Sequence, residues 1–505
     1  MPNGPTAAPH DTGPLESVID AFRTSRDTLE RSILPYATSV DGRTFEFQSS
    51  LHGLTLQTGG YVVLEDGEQS RFGQVLDLAA ATERASFANV PGLSSEVLIR
   101  LAHGHGIVLS ADAGPFHQAH VRPATTEETA SWFAEQRPSR AVLDIGALLL
   151  SPGVPATLDA GGFDRHTFMC GQSGSGKTYS LGLVLEQLLV HTDLRLVILD
   201  PNSDYVRLGE AKPGAQGRPD AAYTTAASGV EVWGRESAHP LRLMLPDLDP
   251  ATQAAILGLD PLADREEYAA LSALVTNRRE GAAVIGGLDD LLASDEPGTR
   301  HLGLRANNLG VLGWSIWSRG QGRSLTEAVL DDEIRCLVVD LGSLDTPQEQ
   351  RVIAQATLSA LWRNRQRRHP VLIVIDEAHN VCPREPADAV TRLAADTAAL
   401  IAAEGRKFGL YLLASTQRPQ KVNEEVLTQC DNLLLMRMNS EADLAYLGEV
   451  FSFVPRGMVL RATTFRQGES LAGGKIFPHA GFVRFGARLS HEGGADIPTD
   501  WAGLR

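Results

Sequence analysis

Residues 171–178 read GQSGSGKT, and no other stretch constrains the chain as much. Gly171, Gly176, Lys177 and Thr178 fill every fixed position of GxxxxGK[ST]. The octet follows the apolar run HTFMC at 166–170 and leads into YSLGLVLEQLLV at 179–190. A strand before and a helix after are the context that a phosphate-binding loop needs. The glycines Gly171, Gly174 and Gly176 permit close backbone approach. Phosphate oxygens are expected on the N–H groups of the loop, which includes Gln172, Ser173 and Ser175, and on the helix N-terminus. Lys177 is expected at the β and γ phosphates of ATP and Thr178 on Mg²⁺. A Gly/Ser-rich loop without a ligand is the bland alternative.

From about Ala141 onward, short apolar runs alternate with helical segments, which predicts an α/β fold with a parallel sheet and crossover helices. The runs are HTFMCG, RLVILD, RCLVVDL, VLIVIDE and GLYLLAST. Each stays almost uncharged until its C-terminal end, as strands buried on both faces do, and functional groups are expected at those ends. VLIVIDE delivers two carboxylates there. Asp376 suits the Mg²⁺ shell, and Glu377 suits orienting and polarising an attacking water. Gln417, after GLYLLAST, is placed either as a sensor of the γ phosphate or as part of a turn before Pro419. Arg406 and Lys407 in EGRKFG follow a long helical segment. They are either partners of its C-terminal dipole or, for Arg406, an arginine finger reaching a neighbouring subunit's nucleotide. Asp200, Asn202 and Asp204 in ILDPNSDY form a polar turn or a network around the nucleotide, and RNRQRR at 363–368 closes a helix.

The flanks divide the chain. Residues 1–14 are rich in Pro, Gly and small polar residues and are expected to be a flexible tail. An amphipathic helix at 15–33 precedes turn-punctuated alternating runs between about 39 and 122, which predict a small β-barrel, with a sandwich as the alternative. The expected units are 15–135 for helix and barrel, 141–218 with 324–490 for the ATPase core, 219–323 for a mostly helical insertion, and 491–505 for a C-terminal tail. Four cysteines without CxxC spacing read as buried thiols. A formal charge of −17 argues against a surface that coats nucleic acid throughout, while leaving room for a basic channel. No charged segment with an apolar core opens the chain, and no apolar run is long enough for a bilayer, which predicts no membrane partner and a cytoplasmic address.

With those residues in place, the chain resembles the HerA-type branch of the HerA/FtsK superfamily of motor ATPases. The strings IGALL, RHTFMCGQSGSGKT, ILDPNSDY, VVDLGSL, IDEAHNVCP, EGRKFGL and STQRP occur in that family's order. GGYVVLEDGEQSRFGQVLDL is similar to its N-terminal HAS-type barrel, and LAGGKIFPHAGFVRF to the segment that closes its core. The resemblance implies a RecA-like P-loop core, a homohexameric ring, ATP and Mg²⁺ at subunit interfaces, and DNA in a central pore. Lys177, Asp376, Glu377 and Gln417 then take the roles above, Arg406 becomes the trans-acting arginine, and Arg165 a basic interfacial position. Ser203-Asp204 replaces the family's frequent Gly-Glu. Arg384 and Lys421 are candidate pore-loop cations by position and charge.

The implied activity is ATP-driven DNA translocation or unwinding beside a partner, either a NurA-type nuclease in end resection or a sirtuin-like or nuclease effector in antiphage defence. One alternative keeps the ATPase as a scaffold ring that activates an effector without moving DNA. Another is a protein-translocating or pilus-type ATPase, which a membrane-proximal segment or a secretion-type N-terminal domain favours.

Overall fold

In TFEFQSS at 44–50, Phe45 and Phe47 are buried between exposed Thr44, Glu46 and Gln48, because successive strand residues face opposite sides. That alternation builds the first unit in a computed structural model, which describes residues 35–86, 96–111, 114–137, 141–214, 220–279, 289–318 and 322–494, with five positions between 19 and 28. The tail expected at 1–14, most of the helix expected at 15–33 and positions 495–505 lie outside the described residues. The chain divides into two units, one of 1–135 with 455–458 and one of 136–454 with 459–505.

The first unit holds a closed six-stranded barrel. Strands β1 (Tyr36–Ser39), β2 (Thr44–Ser50), β3 (Tyr61–Asp66), β4 (Gln69–Ser86), β5 (Glu96–Val108) and β6 (Phe116–Pro123) run in the order β1-β2-β5-β4-β3-β6. The antiparallel pairing of β6 with β1 closes it. Closure leaves no sheet edge, which decides for a barrel over a sandwich. Ala37, Phe45, Phe47, Val62, Leu64, Val75, Phe116, Ala119 and Val121 fill the interior. AHGHG at 102–106 is explained by those rings. A Cβ on Gly104 falls 2.3 Å from the Phe47 ring, and one on Gly106 falls 2.1 Å from the Phe45 ring.

The second unit is built on a twelve-stranded mixed sheet. Its strands are β7 (Val142–Leu148), β8 (Pro155–Asp159), β9 (His166–Cys170), β10 (Arg195–Asp200), β11 (Val230–Gly234), β12 (His239–Pro240), β13 (Cys336–Asp340), β14 (Val371–Ile375), β15 (Leu410–Thr416), β16 (Cys430–Met436), β17 (Glu469–Gly474) and β18 (Gly481–Phe485). The order is β12-β11-β13-β10-β14-β15-β9-β16-β17-β18-β7-β8. Pairing is parallel from β12 to β16 and antiparallel beyond.

The five runs read as parallel strands are β9, β10, β13, β14 and β15. Every residue of β9, β10, β13 and β14 is buried, so backbone polar groups pair within the sheet and side chains are mostly apolar on both faces, with polar residues confined to the strand ends apart from Thr167. The antiparallel half departs from the purely parallel expectation. The segment expected as a helical insertion also contributes β11, which pairs with β13, and the two-residue β12 beyond it at the sheet margin. Val230, Glu231 and Val232 are only partly buried there, and VEVWG lacks the continuous apolar run that marks the central strands.

The helix Pro347–Arg363 starts on a Thr346/Glu349 capping box. It packs against Ala389–Glu404, where buried Ala354, Ala394, Ala395 and Ala398 let the two helices approach closely. All four cysteines are buried and unpaired. No helix among the described residues is long and apolar enough to cross a membrane.

Candidate nucleotide site

The loop between β9 and the helix Lys177–His191 turns through Gly174 at φ +72° and Gly176 at φ +89°, conformations that side chains resist. Strand β15 lies between β9 and β14, so Ser415, Thr416 and Gln417 emerge between this loop and the Asp376-Glu377 pair. Lys177 is only 5% exposed. Its Nζ donates to Asp376 Oδ1 at 2.7 Å and Ser415 Oγ at 2.9 Å, and lies 3.3 Å from Glu377 Oε1. Burial works against the ammonium, but Asp376 and then Glu377 prevail and raise its pKa. Fully buried Asp376 also accepts the Glu377 N–H on Oδ1 at 3.0 Å and the Tyr205 hydroxyl on Oδ2 at 3.4 Å.

Glu377 sits in the left-handed region at φ +44°, a strained conformation for a residue with a Cβ, costing of order 1–3 kcal/mol. Oε1 accepts from Gln417 Nε2 at 2.9 Å. Oε2 lies 3.2 Å from His379 Nδ1 and accepts no well-formed hydrogen bond. Burial pushes the carboxyl pKa up, yet His379, Lys177 and Gln417 outweigh it and hold it at about 2. So weak a base orients and polarises a water better than it removes a proton.

Asp200, at the end of β10, accepts N–H groups from Tyr205 at 2.8 Å and Asp204 at 2.9 Å. Its burial pushes its pKa from 3.8 to about 7 despite those bonds. Burial and then the Asp376 charge push Asp204 to about 6. Ser203, at φ +60°, donates to Asp340 Oδ1 at 2.6 Å. A carboxyl with a raised folded pKa stabilises most below its ordinary value, and that contribution is lost as pH rises through the folded value. For Asp200 the window therefore runs from about pH 4 to about pH 7. Tm should fall across it, and Asp200→Asn should flatten the decline in calorimetric scans; an identical pH slope in the variant contradicts the assignment.

The two other candidate arginines are not at this site. Arg406, in the turn Gly405–Phe408 before β15, lies 3.4 Å from Asp431 Oδ2 at the start of β16. Arg165, just before β9, lies 3.6 Å from the same oxygen and 3.7 Å from Asp164 Oδ1. Both occupy the N-terminal edge of the parallel strands, and the loop occupies the C-terminal edge. The five residues of β9 hold the edges roughly 16 Å apart at 3.3 Å per residue. Arg384 and Lys421 converge at the loop edge instead. Arg384 N–H donates to Lys421 O at 2.8 Å, and its guanidinium lies 3.1 Å from Glu424.

Three neighbours of the site were not singled out from the sequence. Tyr205 reaches Asp376, His379 reaches Glu377, and Arg437 Nη2 donates to the Gly174 carbonyl at 3.1 Å. Tyr205 and His379 lie inside the strings ILDPNSDY and IDEAHNVCP. Arg437 follows β16, whose polar opening CDN hides the strand.

The residues fit a magnesium nucleotide. Ser175 Oγ and Glu377 Oε2 are buried polar atoms without a hydrogen bond. Among the described residues no three His, Cys, Asp or Glu side chains form a metal cage. Mg²⁺ commonly takes one or two carboxylates together with substrate phosphates, and Asp376 with the Thr178 hydroxyl would supply such a set.

Residues 143–297 match the family model described as the central domain of the helicase HerA. The DNA double-strand break repair helicase HerA of Pyrococcus furiosus is 22% identical over 402 residues, 68% of this chain and 69% of that relative. The protein of that name from Sulfurisphaera tokodaii is 29% identical over 147 residues, covering 28% of this chain and 29% of the relative. Among solved structures, VirB4 of Thermoanaerobacter pseudethanolicus shares 15% identity at a TM-score of 0.46, covering 70% of this chain and 97% of its own. The bacterial conjugative coupling protein TrwB shares 12% at 0.46, covering 72% and 92%.

Proposed function

We propose that the chain is a HerA-type ATPase of the HerA/FtsK superfamily, a reading supported by the match over residues 143–297 and by the Pyrococcus furiosus relative, and that it is a cytoplasmic DNA translocase or helicase. In this reading it works as a homohexamer, hydrolyses ATP at subunit interfaces, threads DNA through a central pore, and serves a partner nuclease or defence effector. The loop 171–178 and Lys177 hold the phosphates, Thr178 and Asp376 hold Mg²⁺, Glu377 orients the attacking water, and Gln417 senses the γ phosphate. When bound, Mg²⁺ neutralises charge on the phosphates. Lys177, already charged and aimed at the strand ends, supplies the fixed cation beside it.

The observation that carries the ring reading is the division of one sheet between two edges. The putting-together of Lys177, Asp376, Glu377 and Gln417 at one edge leaves Arg165 and Arg406 at the other, on Asp431. An arginine so far from its own loop would serve a nucleotide only on another copy, and a head-to-tail contact of that kind makes a ring where its rotation closes. Arg384 and Lys421, adjacent on the loop edge, are the cations assigned to the pore.

Duplex DNA is expected to stimulate ATP turnover, and the protein to displace an annealed strand in an ATP-dependent way. Turnover that ignores DNA, with no strand displacement, favours the scaffold ring instead.

A further inference from the structure

We propose that His379 is a positioning residue that aims Glu377 at the attacking water, an inference that rests on the ATP-hydrolysis reading above. His379 Nδ1 lies 3.0 Å from Thr416 Oγ1 and 3.2 Å from Glu377 Oε2. Thr416 is fully buried, and its hydroxyl also accepts the Arg418 N–H at 3.0 Å. A carboxylate oxygen is an acceptor only, so a bare Nδ1 lone pair facing it at that distance would be repelled. The proton therefore belongs on Nδ1, donated to the Thr416 hydroxyl, with its positive edge facing the Glu377 oxygen.

The consequence is a clasp. Gln417 Nε2 fixes Oε1 at 2.9 Å, and His379 limits Oε2 from the other side. Both contacts are anchored at the end of β15, through Gln417 itself and through Thr416. The direction of the carboxylate is thus set by the neighbouring strand, against a backbone at φ +44° that by itself is strained. Because Oε2 keeps no well-formed hydrogen bond, the clasp aims the group without consuming the lone pair that a water needs. His379 also lines a cleft of about 420 Å³ with Pro201, Arg351, Asn380, Pro383 and Thr391, which gives small solutes a way to the ring.

The test uses the full-length chain and steady-state ATP hydrolysis. His379→Ala should lower kcat roughly 10- to 100-fold with KM for ATP nearly unchanged, as misaimed catalytic groups do. Added imidazole should restore part of that loss through the cleft, and His379→Asn, which keeps a donor near Nδ1, should retain more activity than His379→Leu. Wild-type kcat in His379→Ala overturns the proposal. So does a raised KM at unchanged kcat, or a loss that neither imidazole nor Asn mitigates. If the alanine chain does not fold, the Asn and Leu variants decide, and equal activities overturn the proposal. Glu377→Gln run in parallel separates the two readings. Normal turnover there removes the hydrolysis assignment itself, whereas an inactive Glu377→Gln beside a fully active His379→Ala removes only the role of His379.

Discussion

Glu377→Gln should lower ATP turnover by roughly 10²-fold or more, the scale of loss when a reacting group is no longer positioned, while nucleotide stays bound. Glutamine matches glutamate in shape and can still pair with Gln417, but it lacks the charge that polarises a water. The loop and Lys177 remain in place, so binding is retained and unhydrolysed ATP should be recovered from the isolated protein. Lys177→Ala makes the contrast. It removes the cation that Asp376 and Glu377 share inside the protein, and breaking a buried pair typically costs about 3–5 kcal/mol. That variant should lose both nucleotide retention and several degrees of Tm. Normal turnover in either variant contradicts the assigned roles.

Arg406→Ala should lower kcat by about 10³- to 10⁵-fold, the range of an arginine finger in phosphoryl transfer, with little change in Tm. The side chain is 40% exposed and its carboxylate contact, Asp431, is 3.4 Å away, so the fold loses little. A mere partner of the helix dipole contributes only about 0.3–1 kcal/mol, and its removal leaves kcat intact. Mixing Arg406→Ala chains with Glu377→Gln chains sharpens the test. Some junctions then pair an intact loop edge with an intact arginine edge, so activity above either parent is expected; none at any ratio counts against action across the interface.

The legible parts of this molecule share a physical cause. Strands buried on both faces are mostly apolar, and the polar groups they carry, such as Thr167 and Arg195, must find partners inside, so HTFMC, RLVILD and VLIVIDE mark both the sheet and the edge where chemistry gathers. The alternation in TFEFQ announced the barrel in the same way. β11 was hidden because a margin strand tolerates Glu231, and β16 because Cys-Asp-Asn opens it. The antiparallel strip β17-β18-β7-β8 is short and Gly-rich, and no periodicity encodes which strand lies beside which. Strand order is also why the contacts of Lys177 with Ser415 and of His379 with Thr416 were not foreseen: both require β15 to lie between β9 and β14. The separation of Arg165 and Arg406 from the loop follows from chain direction, since both precede parallel strands whose far ends carry the site.

Strand β9 begins one residue after Arg165 and ends where the phosphate loop starts, and it is hydrogen-bonded on both sides, to β15 and to β16. An extended backbone clamped in this way has almost no length to gain or lose. Register with both neighbours also holds it in place, so the separation between the loop end and the arginine end is fixed. In the proposed ring that fixed length sets how far each subunit's arginine edge stands from its own phosphate loop, and so where a neighbour's loop edge would have to dock.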